Sequence, residues 1–230
     1  MRLIPAAACL FLLPGLAAAA DAPPLRQISV TGSAEVLAVP DLATISAGVQ
    51  THSDKAAEAL TENSKAMARV FAELEAHGVA KTDIQTSQIS LDPVWQQPED
   101  GQTEPPKVVG YEANNMVTIK VRAVDQLGAV IDSLGGAGAN RIFGVSFDVA
   151  DPRPLLDQAR SKAVEDAKAK AELLAKAAGV TLGPVQSIQE SGGGGSPAPL
   201  RAKAEMAMAA PVAEGQVTLG ADVALVFGIE

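Results

Sequence analysis

The chain has 230 residues, with 27 acidic against 18 basic side chains and a formal net charge of −9 at pH 7. That balance lacks the basic footprint a phosphate backbone requires, and at 3 % aromatic residues there are few rings on which bases could stack. Nucleic acid is therefore excluded as a partner.

Met1 and Arg2 precede an apolar run from Leu3 to Leu16 and an alanine stretch, Ala17 to Ala20. A charged start, an apolar core and an Ala-x-Ala end form an export signal, with cleavage expected after Ala20. Pro14 and Gly15 break the run well short of the ~20 residues a spanning helix needs. The single cysteine, Cys9, lies inside this segment, so residues 21–230 carry no disulfide, thiol nucleophile or thiolate metal site. Loss of Arg2 takes the net charge from −9 to −10. Export with cleavage is therefore expected.

In chain order, Ala43, Ile45, Ala47 and Val49 alternate with Thr44, Ser46, Gly48 and Gln50, the period of a half-buried strand. Ser53 or Asp54 is expected to cap a helix whose apolar stripe is Leu60, Met67, Phe71 and Leu74, and Gly78 to end it. Strands are expected around Gln88–Val94 and Gly110–Arg122, separated by the proline-rich loop QQPEDGQTEPPK. A short helix follows at Asp125–Leu134, ending in GGAG.

The order then repeats. Phe143 to Val149 reads as a strand, Pro152 to Ala178 as a long helix stopped by Gly179, and Val185 to Ile188 as the start of a further strand. Val217, Leu219, Ala221, Val223, Leu225, Phe227 and Ile229 then recur at period two. The helix face Leu156, Ala159, Ala163, Ala167, Ala171, Leu174 and Ala178 is narrow and mostly small, while Lys162, Asp166 and Lys170 are spaced as ion pairs on the wet side. Gly78-Val79 and Gly179-Val180 stand 101 residues apart, each after a long helix. The expected fold is α+β: two strand-helix-strand-strand repeats, about 27–122 and 139–230, joined by a short helix at 124–136, with an antiparallel sheet packed by two long helices.

No residue set emerges as catalytic, cofactor-binding or metal-binding. His52 and His77, the only histidines, flank the first helix and cannot share a metal. GGAGAN at Gly135 to Asn140 follows a helix where a phosphate loop follows a strand, and SGGGGS at Ser191 to Ser196 lacks the Lys-Ser/Thr ending. LRAKAEMAMAAPVAEG, Leu200 to Gly215, has three readings: a mobile hairpin loop, an apolar contact surface for another subunit or a lipid face, or a copper site through Met206 and Met208. Leu200, Met206 and Met208 are the residues singled out for contact.

ISVTGSAEVLAVPDLATISAGV (Ile28 to Val49), GYEANNMVTIKV (Gly110 to Val121), ARSKAVEDAKAKAELLAKAAGV (Ala159 to Val180) and VALVF (Val223 to Phe227) resemble the bacterial SIMPL-domain family. The resemblance spans nearly all of residues 21–230. It implies an α+β periplasmic protein, homo-oligomeric assembly, association with the envelope and a link to oxidative stress. It supplies no active site. The expectation is a non-enzymatic assembly protein, with a periplasmic small-molecule or metal-binding module as the rival.

Overall fold

The computed structural model describes residues 26–98, 105–191 and 212–230. Its strands are β1 (Gln27–Ala38), β2 (Leu42–Ser53), β3 (Ile84–Gln96), β4 (Lys107–Val121), β5 (Arg141–Asp148), β6 (Leu182–Ser191) and β7 (Val217–Ile229). Its α-helices are α1 (Ala56–Ala76), α2 (Leu127–Ala137) and α3 (Arg153–Ala178). The α+β class holds. The strands form two antiparallel sheets, one of three strands in the order β1-β7-β6 and one of four in the order β3-β4-β2-β5, each with its own long helix.

Sheet membership cuts across chain order. A hairpin supplies two neighbouring strands of each sheet, β3-β4 in one and β6-β7 in the other. In the four-stranded sheet the strand that leads into the helix, β2, pairs with β4. The matching place beside β7 is taken by β1, while β5, which leads into α3, pairs with β2 instead. The chain thus passes between sheets at residues 39–41 and again between β5 and α3. Both crossings are tied at Asp41, whose N–H donates to Asp148 O at 3.2 Å and whose carboxylate accepts from Ala150 N at 2.6 Å.

Each sheet has a separate core. Under α1 and α2 lie Ile45, Val49, Met67, Val70, Leu74, Val117, Ile119, Leu127 and Leu134, all essentially inaccessible. The stripe expected on α1 is rotated: Met67 and Leu74 are buried, but Leu60 and Phe71 sit on an exposed flank, and Ala59, Asn63, Ala66 and Val70 complete the inner face. Asn63 is the one buried polar side chain among the described residues, and its amide donates to Val49 O (2.8 Å) and Ala113 O (3.0 Å), pinning α1 to β2 and β4. Lys55 is the helix-capping residue and no side chain caps the first turn; Ser53 instead accepts from Lys55 N at 3.3 Å and donates to Glu58 at 3.1 Å. Gly78 follows the helix at φ +76°, as expected.

The second core is built of alanine. Ala159, Ala163, Ala167 and Ala171 of α3 are fully buried against Val30, Val36, Val223, Leu225 and Phe227. The helix comes so close that a Cβ on Gly32 of β1 would collide with the backbone of Ala163 and Ala167. Leu174 and Ala178, expected on this face, are exposed, because the buried stripe keeps a strict four-residue spacing from Ala159 to Ala175 and turns them away from the sheet. The alternation of β7 faces as read: Val217 through Phe227 is buried at every second position.

Candidate functional site

Three surfaces stand out. The first is the face of the four-stranded sheet opposite α1, where period two places Gln50 and His52 of β2 beside Glu112 and Asn114 of β4 and Arg141 of β5. Arg141 Nη1 donates to Gln50 Oε1 (2.8 Å) and Asn114 Nδ2 to Glu112 Oε1 (3.0 Å). The Arg141 guanidinium also lies 5.0 Å from the centre of the Phe143 ring. Asn140 fastens the backbone of Gln50 on both sides, accepting from its N–H and donating to its C=O, each at 2.8 Å. Hydrogen bonds from Asn114, then Gln50, hold the Glu112 carboxyl below its ordinary range despite partial desolvation, with Arg141 and His52 adding to the effect. A Cβ on Gly110 would strike His52, so the imidazole packs against the bare backbone of the glycine. Many of the donors and acceptors here are spent on one another, but Asn114 Oδ1 is buried without a hydrogen-bond partner.

The second is a pair of hollows around the end of α1. One, of about 250 Å³, lies between α1 and β3 and is lined by Phe71, Val79, Ile84 and Thr86, with Lys81 and Glu75 3.7 Å apart at its rim. The other, of about 370 Å³, gathers His77, Asp83, Lys120 and Arg122. Arg122 grips Asp83 with two bonds of 2.8 Å and holds that carboxyl below its ordinary value. His52 and His77 stand at opposite ends of α1, whose 21 residues span about 32 Å. Among the described residues no three of His, Cys, Asp and Glu gather as metal ligands, and no helix is long and apolar enough to cross a membrane.

The third is apolar. α1 covers β2 and β4, α3 covers β1 and β7, and each leaves the helix-side residues of a neighbouring edge strand open: Ile89 and Leu91 on β3, and Val185 and Ile188 on β6. Ile89 and Ile188 are 67 % and 66 % exposed, so the same gap recurs in both halves. The far end of the β3–β4 hairpin adds Trp95, 55 % exposed, with Val108 and Val109, and the opposite edge of the same sheet adds Ile142, Phe143 and Val145 of β5. None of these residues marks a contact surface in the sequence: Ile89, Leu91, Phe143, Val145, Val185 and Ile188 read as ordinary strand residues, and Trp95, Val108, Val109 and Ile142 lie just outside the expected strands. Leu200, Met206 and Met208 lie outside the described residues.

The sequence model of SIMPL, described as a protein of unknown function (DUF541), matches residues 28–227. The chain belongs to the SIMPL family. It is 32 % identical over 212 residues to the 26 kDa periplasmic immunogenic protein of Brucella melitensis biotype 1, covering 89 % of this chain and 85 % of the relative. It is 33 % identical over 208 residues to the uncharacterized protein YggE of Escherichia coli strain K12, covering 90 % and 82 %. The protein of the same name in Edwardsiella ictaluri is 33 % identical over 171 residues, 74 % of this chain and 70 % of the relative. The matched span takes in the three α-helices, β2 to β6 whole and all but the end residues of β1 and β7, both crossings at Asp41 included.

Proposed function

We propose that this SIMPL protein is exported to the periplasm, loses residues 1–20, and acts there as a non-enzymatic homo-oligomer in envelope or oxidative-stress homeostasis. The periplasmic name of the Brucella relative and the export signal support the location. The stress role follows from the family resemblance. Assembly is supported by the apolar side chains at both edges of the four-stranded sheet, Ile89, Leu91 and Trp95 on one side and Phe143 and Val145 on the other. Exposed apolar patches of this kind mark interaction sites, and two different edges on one sheet let a subunit have a neighbour on each side.

Light scattering on residues 21–230 over a wide concentration range tests the reading. An assembled mass that falls when Trp95 and Phe143 are replaced by serine supports it; a monomer at every concentration removes it. The second reading, a small-molecule-binding module, draws on the apolar hollow beside Phe71 and Ile84. That reading gains if the protein is monomeric and an apolar fluorescent probe binds in the hollow and is lost with Phe71→Ser.

A further inference from the structure

Among the described residues four strands lie at sheet edges, and three carry built-in obstacles to a further strand. β3 has Pro93 and two shifts of register. β6 has Pro184 and two shifts. β5 is eight residues long and is broken by a shift beside Gly144, at φ +52°. Proline, bulges and shortness are the usual defences of an edge. β1 has none of them: its 12 residues pair with β7 in unbroken register from Gln27↔Gly228 to Ala38↔Val217, with no proline.

Its defence comes from α3. Between β1 and that helix, Thr31 O accepts from Lys170 Nζ at 3.0 Å and Ser33 N donates to Asp166 Oδ2 at 2.9 Å. These carbonyl and amide groups flank Gly32 and are the ones a neighbouring strand would use. Asp166 and Lys170 are themselves joined at 2.6 Å, one turn apart. The i,i+4 pair expected to face water therefore stands in for a strand, one side chain accepting and the other donating. It reaches the edge because Gly32 and the alanine stripe seat α3 directly on β1.

We propose that the outer edge of β1 is a strand-pairing surface held shut by Asp166 and Lys170, and that when they are displaced it takes β1 of a second copy, antiparallel about Gly32. The strand is self-complementary in that register. Thr31 falls opposite Ser33, Ser29 opposite Glu35 and Gln27 opposite Leu37, so no like charges meet. The surface is separate from the edges of the four-stranded sheet that support assembly above, and it can open whether or not those edges associate.

The test is the double variant Asp166→Ala/Lys170→Met of residues 21–230, compared with the same variant carrying Ser33→Pro, which removes the exposed N–H. Light scattering should give at least twice the mass of the unmutated protein for the double variant and the unmutated mass once Ser33→Pro is added. A folded double variant with unchanged mass overturns the proposal, as does a gain in mass that Ser33→Pro leaves in place. If the double variant loses its circular dichroism, amide exchange of Ser33 in the single variant Asp166→Ala decides. Exchange at least tenfold faster than in the unmutated protein supports the guard, and unchanged exchange overturns it. A wild-type monomer would defeat the assembly reading and leave this doubling expected.

Discussion

The two halves share an element order and solve helix-on-sheet packing in opposite ways. Under α1, branched and long side chains fill the gap, and one buried amide, Asn63, bonds to carbonyls of two strands. Under α3 there is almost no gap to fill: four alanines and Gly32 bring the backbones together, and polar side chains at the margin make the remaining contacts, Asp166 and Lys170 to β1 and Arg160 to Glu190 of β6 at 2.7 Å. A sheet can hold a helix by area or by closeness. The first arrangement is sensitive to what is removed, and the second to what is added.

The largest expected break is Gly32→Val. Its Cβ would meet the α3 backbone, which cannot yield as a side chain tip can, so the loss should exceed the ~1–3 kcal/mol of an ordinary overpacked core site. Gly220→Val on β7, where the nearest atom is 3.6 Å away, should leave the urea midpoint nearly unchanged. Next comes truncation in the other half. Leu74→Ala should cost about 2–5 kcal/mol in denaturant unfolding, since Leu74 is fully buried and its neighbours cannot close the void. Asn63→Leu should cost about 1–3 kcal/mol by removing both bonds to the strands.

The smallest effect concerns acid. Asp83 is held below its ordinary value by Arg122, so the pair's contribution is fully present above the unfolded carboxyl value near ~4 and is lost as pH falls through the lower folded value. The stability difference between the unmutated protein and Arg122→Met should therefore be constant from pH 7 to 5 and shrink below about pH 4. A difference that grew toward acid would mean the carboxyl is raised.

What was legible in the sequence follows from which interactions are local. The β7 face could be read because seven apolar residues recur at period two and the strand lies at the centre of its sheet, where one face is wholly covered. The ends of α1 and α3 could be read because Gly78 and Gly179 adopt positive φ. β1 escaped notice because Gly32 and Ala34 take two of its inward positions, where the close approach of α3 demands small residues; they erase the apolar alternation that marks a strand. The exchange of β1 and β5 between sheets was out of reach, since it depends on pairing partners up to about two hundred positions apart. The Asp166–Lys170 pair was visible as spacing, yet nothing local told that it would turn toward a strand edge. Leu200, Met206 and Met208 lie outside the described residues.

The central claim, that closeness holds α3 in place, is tested most directly by Ala167→Leu. On an area argument the added apolar surface on a buried helix face should stabilise the protein. The account predicts the reverse, a loss of about 1–3 kcal/mol in urea unfolding, because no space exists between Ala167 and β1 for the new atoms. An unchanged or higher midpoint for Ala167→Leu would contradict it.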